Sequence, residues 1–217
     1  MTDVGLDPAQ PWVLASRNAG KLEELRALFA TEGIRVVDLR DVGIAETPDE
    51  DDIECHATFE ENALAKARHF VKLLPGRIVV ADDSGLEVRA LGDEPGVRSK
   101  RWSGRTDLDW RALEAENNAM LVQRMTGVDD CRARFVCAAA WARGGCEVVA
   151  RGEVEGRIEA VAAGAHGFGY DPHFHSAELG MTLAEASIAE KQRVSHRGRA
   201  FTALLARLRL DGRLAPA

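Results

Sequence analysis

Ile78, Val79, Val80 and Ala81 form an unbroken apolar run rich in β-branched side chains, the pattern of a short strand covered on both faces. The run gives way at once to Asp82-Asp83-Ser84-Gly85. In an open α/β sheet the ends of such strands face the ligand crevice. Two carboxylates buried there without partners would cost several kcal/mol, so a metal ion or a cationic partner is expected. Taken alone, Asp, Ser and Gly would also suit an ordinary turn.

A chain of 217 residues, 46% apolar and 29% charged, suits one soluble globular domain. The expected division is a loose extension over residues 1–11, a single α/β domain over 12–210 and a tail over 211–217. Apolar runs are too short to span a bilayer and no secretion signal opens the chain, so a cytoplasmic location without membrane contact is expected. A net charge of -7 argues against nucleic acid as a partner and leaves a small molecule. Cys55, Cys131, Cys137 and Cys146 form no C-x-x-C pair and are expected as reduced thiols.

In chain order, Trp12 to Ser16 read as a first strand running into Arg17-Asn18-Ala19-Gly20-Lys21 and then a helix marked by Leu22, Leu25, Leu28 and Phe29. Asn18 suits the helix cap, and a helix start after a strand suits a phosphate, with Lys21 as a point charge. Ile34 to Leu39 read as a second strand, and Asp38 to Glu54 as an acidic loop, most of whose carboxylates form a solvated face. Thr58 and Glu61 form a capping box for a helix that buries Phe59, Ala63, Ala67, Phe70 and Leu74. Asn62 and Lys66 flank that stripe, and on this segment alone Lys66 reads as a surface lysine.

Asp107 is expected to cap a helix reaching about Met125, its apolar surface supplied by Trp110, Leu113, Ala119, Leu121 and Val122. Residues 132–142 and 146–155 on either side of Gly144-Gly145 predict a hairpin. The glycines around Phe168, Gly169, Tyr170 and Asp171 require a tight loop that could hold an aromatic ring against a flat ligand. Ser195 suits the cap of a last helix burying Phe201, Leu204, Leu205 and Leu208. Arg197 lies four residues before Phe201, so its guanidinium points inward and needs an acceptor, either a structural carboxylate or a ligand.

Five segments in order resemble the inosine triphosphate pyrophosphatase, or Ham1-like, family: Ser16 to Lys21, Thr58 to Ala63 with Lys66-Ala67-Arg68, Ala81 to Leu86, Gly167 to Pro172, and Ser195 to Gly198. The resemblance spans residues 12 to 209. It implies an elongated α/β homodimer, a mixed central sheet flanked by helices with two lobes around a nucleotide cleft. It also implies magnesium-dependent hydrolysis of dITP, ITP and XTP to the monophosphate and pyrophosphate. By position, Ser16, Arg17, Asn18, Ala19, Gly20 and Lys21 would hold the triphosphate, with Lys66 as a second cation. Asp83 would bind magnesium and serve as base, Asp82 would assist and Ser84 would touch substrate. Phe168, Gly169, Tyr170, Asp171, Lys191, His196 and Arg197 would form the nucleoside end. The family's metal glutamate corresponds to Glu54. Cys55-His56 replaces the family's Thr-Gly just after it, which keeps Asp52 open as a substitute.

The chemistry fits this set. Attack of water on an anionic phosphorus needs positive charge and alignment. Magnesium takes oxygen ligands and keeps waters, as two carboxylates without His or Cys would allow. On the sequence alone, Asp82, Asp83 and Glu54 are all open as the base. Donors on His196 and Arg197 would favour the 6-oxo acceptor of hypoxanthine and xanthine over the 6-amino group of adenine.

Overall fold

The computed structural model describes residues 10–215, so nearly all of the extension expected over 1–11 lies outside the described residues. The fold is built on β3 (Val79–Val88). On one side β3 pairs in parallel with β1 (Trp12–Leu14), which pairs in parallel with β2 (Val36–Asp38). On the other it pairs antiparallel with β5 (Arg132–Arg143), and β5 with β6 (Cys146–Ile158). The short strands β7 (Phe174–Ser176) and β8 (Met181–Thr182) extend the sheet past β6, and β4 (Glu94–Pro95) pairs with the end of β3. The sheet is mixed and open, in the order β2-β1-β3-β5-β6-β7-β8. At about 3.3 Å per residue the β5–β6 hairpin runs roughly 40 Å, which makes the molecule long.

Alternation along the strands sorts the core into layers. Trp12, Leu14 and Val80 face α1 (Ala19–Thr31) and α5 (His196–Leu210), packing with Phe29, Phe201 and Leu204. Val13, Val79 and Ala81 face α2 (Phe59–Leu73) and its Phe59, Ala63, Ala67 and Phe70. A third cluster gathers Leu86, Val88, Leu121, Phe135, Tyr170 and Phe174 at the far end of β3, against α3 (Trp110–Met125). Asp82, Asp83 and Ser84 therefore sit at the waist between the two ends.

The expected strand break at Asp82 does not occur. Every residue from Val79 to Val88 is paired with β5, with Ala139 opposite Asp82 and Ala138 opposite Asp83. These small partners leave room for polar groups while the ladder satisfies the backbone. Because neighbours on a strand point to opposite faces, Asp82 joins the α1/α5 layer and Asp83 the α2 layer.

Other expectations shift by a few residues. The second strand is Val36–Asp38, not Ile34 to Leu39. Asp109, not Asp107, caps α3, accepting the Arg111 and Ala112 N–H groups at 2.9 Å, because Asp107 is held by Arg105 two residues back. Trp110 is 63% exposed, and Ala119 is exposed too. Within the acidic loop, residues Pro48–Asp52 form a 3-10 turn and Glu50 is an exception to the solvated face, tied inward to Arg17.

The closing helix approaches the sheet over Gly152 of β6. A Cβ there would overlap the Ala200 nitrogen and the His196 carbonyl oxygen, so only glycine lets α5 lie this close. That approach sets His196 and Arg197 over the waist. Leu214 in the tail packs against the same layer. Among the described residues no helix is long and apolar enough to cross a membrane, and all four cysteines are free thiols.

Candidate active site

Asp82 is fully buried, and its Oδ2 meets Lys21 Nζ at 3.0 Å and Arg197 Nε at 3.2 Å. Burial opposes its ionisation, yet the charges of Lys21, Arg197 and Lys66 outweigh that and hold the carboxyl well below the ordinary range. It stays ionised and is no proton acceptor near neutrality. Among the described residues its Oδ1 has no hydrogen-bond partner.

Asp83 behaves oppositely. Burial and the nearby Glu54 carboxylate push it up to about 6, against the pull of Lys21 and Lys66. Asn62 Nδ2 donates to its Oδ2 at 2.9 Å, and the Ser84 N–H donates to its Oδ1 at 2.9 Å. Asn62 in turn accepts the His56 N–H at 2.8 Å, joining the end of the acidic loop to β3. Lys66, expected at the surface on its own segment, donates to the Asp82 carbonyl at 2.7 Å and forms an ion pair with Glu54. For Glu54 too burial opposes ionisation, but Lys66 and Lys21 keep its carboxyl low. Asp52, by contrast, is exposed.

Glu54 and Asp83 are thus neighbouring carboxylates, and burial together with the Glu54 charge drives Asp83 toward protonation. That donor set fits a hard divalent cation, which relieves the repulsion and takes its remaining ligands from water and substrate phosphate. Among the described residues no cluster of three or more His, Cys, Asp or Glu side chains could hold a metal by itself. Two carboxylates alone suit a divalent cation that completes its shell from outside the protein, not a closed protein cage.

The loop before α1 is a compact anion end. Asn18 caps the helix, its Oδ1 accepting the Lys21 N–H at 2.9 Å, while its own N–H reaches Ser16 Oγ at 3.3 Å. The remaining N–H groups of the first turn, at Ala19 and Gly20, are those a phosphate would meet. Gly20 is required here, since a Cβ would overlap the Phe168 ring. The Arg17 side chain does not join this end; it turns to Glu50.

Phe168 lies beneath two cations, with Lys191 Nζ 5.0 Å and the Arg197 guanidinium 5.5 Å from its ring centre. Its N–H donates to Asp171 Oδ2 at 2.9 Å, which also takes Lys191. Lys191 pairs with Glu24 at 2.7 Å, and Glu24 pairs with Arg197. Arg197 Nη2 donates to Ser84 Oγ at 2.9 Å. The chain of charges runs Asp82, Arg197, Glu24, Lys191, Asp171. Arg197's inward acceptors are therefore structural carboxylates. Glu24 was not legible as part of the site; its signal is its place three residues after Lys21, on the same helix face.

Tyr170 is turned the other way. It is buried and donates its hydroxyl to the Ser99 carbonyl at 2.9 Å, and Asn118 holds the Gly169 carbonyl at 2.9 Å. His196 is buried and stacked on Phe135, with ring centres 4.7 Å apart and 12° between planes. Among the described residues its Nδ1 has no hydrogen-bond partner.

The family model described as the Ham1 family matches residues 12–207. The chain belongs to the Ham1 family. It is 47% identical over 200 residues to the dITP/XTP pyrophosphatase of Chromobacterium violaceum, covering 91% of this chain and 96% of that protein. To the dITP/XTP pyrophosphatase of Bordetella pertussis it is 44% identical over 203 residues, 92% of each. The Ham1 protein of Staphylococcus aureus superposes with a TM-score of 0.76 at 33% identity, covering 93% of this chain and all of that one (100%). The nucleoside-triphosphatase / dITP/XTP pyrophosphatase of Mycobacterium abscessus gives a TM-score of 0.66 at 43% identity, over 92% of this chain and 100% of that one. The mixed sheet flanked by helices is the architecture this Ham1 family member shares with them.

Burial, with Arg197 and Lys191 nearby, holds His196 well below its ordinary 6.5. The ring is neutral in the fold, while the unfolded chain binds a proton below that value. Stability from this group is present above pH 6.5 and is lost as pH falls, with a slope of at most about 1.4 kcal/mol per pH unit. Asp83, pushed up to about 6, acts in the opposite sense over this range, so the His196 share is the difference between wild type and His196→Gln in denaturant titrations between pH 7 and 5. The variant should lose less stability than wild type as pH falls, and identical pH dependence in the two proteins would assign it to other groups.

Proposed function

We propose that this Ham1 family chain hydrolyses dITP, ITP and XTP to the nucleoside monophosphate and pyrophosphate, using magnesium held by Glu54 and Asp83. The observation that carries the reading is the opposed protonation of neighbouring carboxylates, Asp82 fixed as an anion among Lys21, Arg197 and Lys66, and Asp83 poised near 6 beside Glu54.

The α1 start, Ser16 to Lys21, receives the triphosphate through backbone N–H groups, and Lys21 and Lys66 offset charge on the leaving pyrophosphate. When bound, magnesium supplies a Lewis acid on the phosphate oxygens. Asp83 takes the proton of the attacking water; Asn62 and the Ser84 N–H fix the direction of its carboxylate. Asp82 keeps the lysine and arginine charges in place. Ser84 contacts substrate beside Arg197. Phe168 offers the purine a flat face, and the loop of Gly169, Tyr170 and Asp171 with Lys191 holds that ring in position.

A guanidinium has more donors than Glu24, Asp82 and Ser84 use, so Arg197 retains N–H groups for a 6-oxo acceptor. A neutral His196 adds one donor. An adenine 6-amino group would face these donors unpaired. The same reading takes the chain as a cytoplasmic homodimer acting on free nucleotides, with the exposed Trp110 on α3 as apolar surface available for the subunit contact.

Products distinguish this reaction from others. ITP with magnesium should yield IMP and pyrophosphate in equal amounts, and EDTA should stop the reaction. Release of IDP and orthophosphate, or undiminished turnover in EDTA, would refute the proposal.

A further inference from the structure

Arg17 sits in the phosphate loop, but four hydrogen bonds commit its side chain to a different segment. Its Nε and Nη2 grip the Glu50 carboxylate as a fork, at 3.0 and 2.7 Å. Its Nη1 donates to the Ile44 carbonyl at 3.0 Å and its Nη2 to the Ala45 carbonyl at 3.0 Å. The fork is partly buried, with side-chain exposures of 15% on both partners. Such planar two-point pairing fixes geometry in a way a lysine cannot.

The gripped segment is the strap that leads to Glu54. Between Leu39 and α2 it contributes no strand to the sheet, only the 3-10 turn Pro48–Asp52 capped by Thr47 and Glu50. A free strap of this kind would carry large backbone entropy, and a carboxylate on it would have no fixed position. Val42 and Ile44 pack against the α2 layer, and polar contacts hold the rest. Arg17 holds its first half, and four residues after Glu50 the Glu54 carboxylate meets Lys66 while its carbonyl accepts Arg101 at 2.8 Å. Arg17 therefore ties the phosphate loop to the acidic strap.

We propose that the Arg17–Glu50 fork is a latch that holds the Ile44-to-Glu54 strap against the phosphate loop and thereby sets the Glu54 carboxylate beside Asp83. Arg17 is a positioning residue and its side chain is not a phosphate ligand. The inference rests on reading Glu54 and Asp83 as the cation pair, but not on which nucleotide is cleaved.

The test is Mn²⁺ binding to the substrate-free protein, followed by electron paramagnetic resonance, in Arg17→Ala, Arg17→Lys, Glu50→Gln and the Arg17→Ala/Glu50→Gln double variant. Each single change should weaken Mn²⁺ binding about tenfold, the scale for supports behind metal ligands, and the double variant should add little further. Charge alone predicts otherwise, because losing Arg17 would strengthen cation binding and losing the Glu50 charge would weaken it. Amide exchange over residues 44–54 should quicken in all four. In steady state, the magnesium needed for half-maximal rate should rise by the same factor while the nucleotide KM stays put.

A raised nucleotide KM in Arg17→Ala with Glu50→Gln unchanged would make Arg17 a phosphate ligand and overturn the latch. Unaltered Mn²⁺ binding in the variants would also overturn it, as would a wild-type protein that binds no Mn²⁺. Wild-type protein that binds Mn²⁺ but cleaves no nucleotide would sink the proposed function and leave the latch standing.

Discussion

Asp83→Asn should lower kcat by on the order of a thousandfold while the nucleotide still binds, because a positioned base accounts for about two to four powers of ten. The amide keeps the shape and can still pair with Asn62, so the α2 layer is preserved. What disappears is the carboxylate proposed as proton acceptor, and with it one half of the Glu54–Asp83 pair proposed to hold the cation. Pyrophosphate release gives kcat, and calorimetry with ITP gives binding. A loss below about tenfold would remove Asp83 from the role of base. Asp82 is no fallback, since its neighbours keep it ionised far below neutral pH.

Arg197→Ala should be the most destabilising change in the site. The guanidinium is 2% exposed and bridges three elements, Glu24 of α1, Asp82 and Ser84 of β3, and its own α5. Deleting it leaves Asp82 inside the sheet layer with one less cation and Glu24 with only Lys191. Breaking a buried pair from one side costs about 3–5 kcal/mol, which for a chain of this size lowers Tm by roughly 10 °C. Thermal unfolding followed by circular dichroism reads the shift. Arg132→Ala, at an exposed pair with Asp130, is the control and should leave Tm unchanged. Equal shifts in the two variants would mean that the buried network does not hold the waist together.

Much of this was legible because it rests on local rules. Asn18, Thr58 and Ser195 cap their helices as the spacing predicts, and the Gly144-Gly145 hairpin forms over the expected segments. The inward direction of Arg197 follows from its offset to Phe201. What the sequence hid depends on pairing across the chain. Asp82 and Asp83 looked like a strand end because adjacent carboxylates seldom continue a buried strand. Alanines 138 to 140, over fifty residues away, make room for them and carry the ladder through. Lys66 reads as a surface residue until Glu54 and the Asp82 carbonyl are brought to it. Glu24 and Glu50 are ordinary helix and loop acids in sequence, and only the fold sets them against Arg197 and Arg17. The cap at Asp109 in place of Asp107 turns on a competition with Arg105 that spacing does not rank.

Pyrophosphate release, with magnesium, from ITP, XTP, GTP, ATP and dUTP side by side at equal enzyme and substrate reads out the base selectivity of the site. The site described here predicts rapid release from ITP and XTP and little from ATP, whose 6-amino group faces the Arg197 donors unpaired. Equal rates on ATP and ITP, or release from dUTP alone, would contradict it.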